Sequence, residues 1–157
     1  MRIRLATLLV LAASLLAACS RTQVGDKLPD VRLPTFSAQE GSSLASCPTR
    51  KCLTAYVAPW CHYCREGTPM LLALRQYLQK QDVSLRFVVG KDRLPALREY
   101  AQVFGPDTLL DVDDSLSVEG VPHFFVSDSG GHILKEISGI PAGDYSLEEI
   151  ASSFGLP

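Results

Sequence analysis

Trp60-Cys61-His62-Tyr63-Cys64 is the stretch whose reading decides the fold. Two cysteines separated by two residues can close a small disulfide ring and open it again. An apolar run, Leu53–Ala58, precedes the pair and a helical pattern follows it, which predicts a strand-to-helix turn. A helix N-terminus there stabilises a thiolate through unpaired N–H groups and the helix dipole. Redox chemistry is therefore expected, with half of a zinc site or an inert structural disulfide as the alternatives.

The 157 residues suffice for one domain with a real core. Part of the apolar content lies outside it. Arg2 and Arg4 precede a run, Leu5–Ala18, in which only Thr7 and Ser14 are polar, a pattern of an export signal too short to be a comfortable membrane span. The run ends in Leu16-Ala17-Ala18-Cys19, which resembles a bacterial lipobox. By that resemblance residues 1–18 are a signal peptide, Cys19 carries the lipid, and the chain is anchored on a membrane facing the periplasm. Ser20 after the cysteine resembles lipoproteins passed to the outer membrane. The expected organisation is a signal peptide over 1–18, a lipidated tether over 19–27 and a domain over 28–157.

Removing residues 1–18 leaves 13 basic and 17 acidic residues, a formal net charge of −4. No basic run or aromatic-basic patch is present, so nucleic acid is not an expected partner. Apart from Cys19, the cysteines form two pairs, Cys47/Cys52 and Cys61/Cys64. In an oxidising compartment such pairs default to disulfides.

Leu28–Phe36 is bounded by prolines and reads as an edge strand or hairpin arm; residues 37–46 read as a polar loop. Leu71, Leu74 and Leu78 give the helix after Cys61 its apolar face, and Pro69 is expected to kink it. Val83–Val89 reads as a strand, and Asp92 as the cap of a second helix over 93–104, with Pro95 in its first turn. A short strand over 108–112 and an apolar strand over 121–126 follow. The turn at Asp128-Ser129-Gly130-Gly131 then joins that strand to an arm over 132–138, and Ser146-Leu147-Glu148-Glu149 is a capping box for the last helix.

This order, with Trp60-Cys61-His62-Tyr63-Cys64, Pro69, Val121-Pro122, Gly139 and the stretch Val24-Gly25-Asp26-Lys27-Leu28-Pro29-Asp30, resembles the thioredoxin-fold, TlpA/ResA-type extracytoplasmic thiol–disulfide oxidoreductases. The resemblance spans about residues 24–155. It implies an α/β fold, a central mixed β-sheet flanked by helices with an N-terminal β extension. It also implies a cis bond before Pro122, which brings the Val121 backbone beside the cysteine sulfurs. Its function would be disulfide exchange with protein substrates and an unidentified redox partner, with no cofactor and no resident metal. Cys61, exposed at the first helical turn, would attack, and Cys64, facing inward, would resolve.

Two positions depart from that pattern. Ala55 stands where thioredoxins carry a buried acid, and Gly67 where reducing ResA-type members often carry a Glu. A partly protonated His62 would favour the thiolate and an oxidising pair; Tyr63 and Val121 point toward oxidation or isomerisation, whereas the TlpA-like frame points toward reduction. Cys47 and Cys52 are expected to form a structural disulfide, with a second redox dithiol as the alternative. A non-enzymatic thioredoxin-fold lipoprotein, or a zinc module using all four cysteines, is the competing class. His123 and His132 read as ordinary strand or surface residues, and Asp111, Asp113 and Asp114 as a solvated loop.

Overall fold

The computed structural model describes residues 23–140 and 143–157. The expected signal peptide and Cys19 lie outside them. Among the described residues no helix is long and apolar enough to cross a membrane.

A five-stranded sheet forms the centre. β1 (Arg32–Pro34) and β2 (Glu40–Ser43) make a separate antiparallel hairpin; β3 (Lys51–Val57) leads into α1 (His62–Gln79), β4 (Val83–Gly90), α2 (Leu94–Ala101) and β5 (Leu109–Asp111). β6 (His123–Asp128), β7 (Ile133–Ser138) and α3 (Leu147–Ser153) complete the chain. The sheet order is β5-β4-β3-β6-β7. β3, β4 and β5 run parallel through helical crossovers, whereas β6 and β7 are antiparallel additions. β3 is central, and Cys52 through Val57 are all buried, which explains why the run is apolar but for Thr54.

Alternation along the strands separates two cores. Leu53, Ala55 and Val57 of β3 join Leu71, Leu74 and Leu78 of α1, Leu97 of α2 and Ile150 of α3. Each of these leucines is fully buried, and such burial contributes about 1.5–3 kcal/mol per side chain. On the opposite face Tyr56, Val88 and Phe125 pack with Leu33 and Leu44 of the N-terminal hairpin.

Several expectations change. The polar stretch over 37–46 contains β2. Its Gly41 lies against the Leu33 carbonyl and the Leu109 side chain, where a Cβ has no room. Asp92 does not cap α2; its Oδ1 accepts only the N–H of Arg93, which occupies the cap position without a side-chain bond. The helix opens Leu94-Pro95, and the proline has no N–H to satisfy. Part of the stretch expected as a tether is already hydrogen-bonded to β7: Gly25 N donates to Ile133 O at 2.8 Å, and Ile133 N to Asp26 O at 2.8 Å. The capping box over Ser146 and Glu149 forms as expected, with bonds in both directions.

Candidate active site

The end of β3 delivers Ala58-Pro59-Trp60 to the N-terminus of α1, where Cys61 itself is the N-cap residue. Its Sγ accepts the backbone N–H of Cys64 at 3.1 Å, the place a Ser or Asp oxygen takes in other helices. Any negative charge on this sulfur therefore meets the donor end of an 18-residue helix with no acidic side chain in its first turn. Cys61 and Cys64 are joined as a disulfide, Cα atoms 5.2 Å apart.

The Val121–Pro122 bond is cis, and the Val121 carbonyl oxygen lies 3.5 Å from Cys61 Sγ. Gly139 N donates to the Pro122 carbonyl at 2.8 Å, tying this turn to the end of β7. Cys61 is not exposed as expected: it is only 4% accessible and Cys64 is fully buried. The cap position turns the sulfur toward the helix end and Val121 rather than outward. The exposed groups are its neighbours, Trp60 at 62% and Tyr63 at 69%.

Trp60 is nonetheless fixed at its edge. Its Nε1 donates to the Lys91 carbonyl at 2.8 Å, and Lys91 Nζ reaches both carboxylate oxygens of Asp114 at 2.7 and 2.8 Å. Asp114 Oδ1 in turn accepts from Tyr56 OH at 3.4 Å, and Asp111 Oδ2 accepts from the same hydroxyl at 3.1 Å. Burial first, then the two carboxylates, push the Tyr56 hydroxyl well above the usual tyrosine range. Asp111 is buried, not solvated as expected, and its oxygens also take the N–H groups of Ser115 and Leu116.

His62 Nε2 lies 3.1 Å from Glu66 Oε1, one turn along α1, and both side chains are largely exposed. The two departures also acquire physical reasons. Ala55 sits between Phe87 and Phe124 in the helix-covered core, an apolar setting where an acid would lack a partner. At Gly67 a Cβ would run into the Ile140 side chain, so Ile140 fills the space that a glutamate stem would need.

Cys47 and Cys52 are bonded to each other, with Cα atoms 5.7 Å apart, at the start of β3. Cys61 lies beyond the other end of that strand; Cys52 to Val57 alone spans about 17 Å at strand rise. The four cysteines therefore do not converge, which removes the geometry for a shared zinc site. Among the described residues no three His, Cys, Asp or Glu side chains cluster in a metal-ligating arrangement.

Sequence reasoning missed other polar groups. His123 follows Pro122 and is buried, with Nε2 2.7 Å from Glu136 Oε1 and Nδ1 2.9 Å from Ser138 Oγ. Arg86 directs its guanidinium at the segment preceding the Cys47–Cys52 bridge, donating to the carbonyls of Ser43, Leu44 and Ser46 and to Thr54 Oγ1. Burial lowers its pKa to about 10. The partners of both residues come from other strands or loops, so only an alternating polar residue on a strand could have signalled them.

No family model matches the chain, and no curated protein matches it. Solved structures do. A thiol:disulfide interchange protein from Bacteroides sp. aligns with a TM-score of 0.64 at 18% identity, over 87% of this chain and 93% of the other. The pneumococcal exposed lipoprotein thioredoxin Etrx1 from Streptococcus pneumoniae aligns with 0.63 at 16% identity, over 81% and 98%. A secreted Mycobacterium tuberculosis disulfide oxidoreductase aligns with 0.59 at 15% identity, over 80% and 95%. At these identities the likeness speaks to architecture, and it shows that the chain has the thioredoxin fold.

Proposed function

We propose that the protein is a thiol–disulfide oxidoreductase acting on protein substrates through Cys61 and Cys64. The observation that carries this is Cys61 Sγ as cap acceptor of α1, bonded to Cys64 and beside the Val121 carbonyl. The names of the structural neighbours, interchange protein and disulfide oxidoreductase, support the same reading. In the reduced state the Cys61 thiolate attacks a substrate disulfide, forming a mixed disulfide and releasing one substrate thiolate. Cys64, deprotonated, then attacks the Cys61 sulfur, releases the second substrate thiolate and closes the internal disulfide. Two electrons pass to the substrate, and a separate redox partner restores the dithiol. Run backwards, the same steps oxidise a substrate.

The reductive direction is preferred. It is the direction implied by the TlpA/ResA-type pattern that the chain resembles. Oxidation or isomerisation is the second reading, favoured by the exposed Tyr63 between the cysteines. Cys47/Cys52 is assigned a structural role. Residues 1–18 as an export signal and Cys19 as a lipid site place the domain at a membrane surface outside the cytoplasm, the outer membrane by Ser20. The descriptions of neighbours as secreted and as an exposed lipoprotein agree with the extracytoplasmic part of that reading.

Trapping tests the activity. A Cys64→Ser variant should accumulate mixed disulfides that a thiol reductant releases, and Cys61→Ser should form none. Equal trapping by both variants, or by neither, would sink the assignment. Incorporation of labelled fatty acid, lost in Cys19→Ala, tests the anchor.

A further inference from the structure

A groove of about 650 Å3 runs from Trp60 between α1 and α2. Its apolar lining includes Pro59, Trp60, Pro69 and Val103, with Val103 half-exposed in the turn after α2. Trp60, the residue before Cys61, closes one end of the groove; Cys61 itself, turned toward Val121, does not line it. Cys61 to Pro69 is eight residues of helix, about 12 Å along the axis. That length matches three to four residues of extended chain at about 3.3 Å each.

The walls differ in charge. Asp92, next to the Lys91 carbonyl that anchors Trp60, and Glu99, next to Tyr100, line the α2 side. Asp92 accepts only the Arg93 N–H, and Glu99 has no side-chain partner among the described residues. Arg65, on the α1 side, is engaged: its Nε donates to Pro59 O at 2.6 Å and its guanidinium lies 6.0 Å from the centre of the Tyr100 ring. Two carboxylates that no cation pairs with among the described residues thus line an apolar trough that ends at Trp60, one residue before Cys61.

Resting on the disulfide-exchange reading, we propose that this groove receives an extended segment of the substrate polypeptide carrying a Lys or Arg two to four residues from the cysteine under attack. The apolar lining takes the aliphatic stem, and Asp92 and Glu99 take the charge. Arg65 repels that cation toward the α2 wall, and it is Asp92 and Glu99 that disfavour an acidic side chain. The groove thereby selects among disulfides that Cys61 could otherwise attack alike.

Three peptides test this, identical except for Lys, Ser or Glu at the third residue on both sides of a central position. With Ser at the centre they report binding through the fluorescence of the single tryptophan, Trp60. With Cys at the centre, as homodimeric disulfides, they report exchange: reduced Cys61 displaces one peptide thiolate and Cys64 the other. The Lys peptide should bind about fivefold more tightly than the Glu peptide, the scale of two partly exposed ion pairs. In Asp92→Asn/Glu99→Gln that ratio should fall to within about twofold of unity. No detectable binding, no Lys preference in the wild type, or a preference surviving in the double variant overturns the groove proposal. A charge-dependent binding preference without any exchange would leave the groove standing and sink the proposed function instead.

Discussion

Trp60 hangs from the carbonyl of Lys91 by a 2.8 Å hydrogen bond, and Lys91, in a left-handed conformation at φ +61°, is held by the Asp114 carboxylate. The exposed ring beside Cys61 is therefore positioned from the other side of the sheet's carboxyl end. Asp114→Ala should release Lys91 and loosen the indole. The sole tryptophan makes this visible: fluorescence anisotropy decay should show added fast motion, and disulfide exchange should slow by up to about fivefold, the worth of one hydrogen bond. Unchanged anisotropy would show that Trp60 is held otherwise.

The Cys47–Cys52 bridge closes a short loop at the head of β3, far from Cys61. A six-residue loop predicts a loss of about 2 kcal/mol for Cys47→Ser/Cys52→Ser, with exchange retained. Denaturant midpoints and turnover of the double variant check both halves. A variant of full stability that loses turnover would make the pair a second redox dithiol.

Arg86 holds three carbonyls of the segment that leads into this bridge, so its removal strands backbone acceptors beneath the sheet. Arg86→Met should cost about 3 kcal/mol and raise amide exchange over residues 43–47. Arg86→Lys should recover only part of this, because an ammonium cannot fork to several carbonyls. Full recovery by lysine would contradict the role assigned to the fork.

Tyr56 gives a pH signature. Its folded pKa is raised above the unfolded value near 10, so its contribution is fully present below pH 10 and is lost as pH climbs through the folded value. The stability difference between wild type and Tyr56→Phe should be constant to about pH 10, then shift against the wild type by up to about 1.4 kcal/mol per pH unit. Arg86, with its pKa lowered, works in the opposite sense over the same range, but it is common to both proteins and cancels. A pH-independent difference would mean that the Tyr56 hydroxyl titrates normally.

What the sequence disclosed depended on how local the signal was. The strand-turn-helix around Cys61, the α1 leucines and the Ser146–Glu149 box each rest on residues within a few positions, and they formed as read. β2 escaped because Glu40-Gly41-Ser42-Ser43 has no apolar pattern; it exists through pairing with β1 and through a glycine that admits Leu109. Asp111 looked solvated because its partner, Tyr56, lies 55 residues earlier. His123 hid its role for the same reason, with Glu136 and Ser138 brought to it by the β6–β7 register. The burial of Cys61 was misjudged because a helix N-terminus suggests exposure, whereas the capping role turns the sulfur inward.

The central claim is that Cys61/Cys64 is a reversible redox pair rather than a structural bridge. Equilibrating the protein with thiol–disulfide buffers of graded potential, while following Trp60 fluorescence and trapped thiols, tests it directly. A single two-electron transition is expected between about −270 and −120 mV, toward the lower value for a reductase and the upper for an oxidant. A pair that stays oxidised below about −300 mV, as structural disulfides do, would contradict the account.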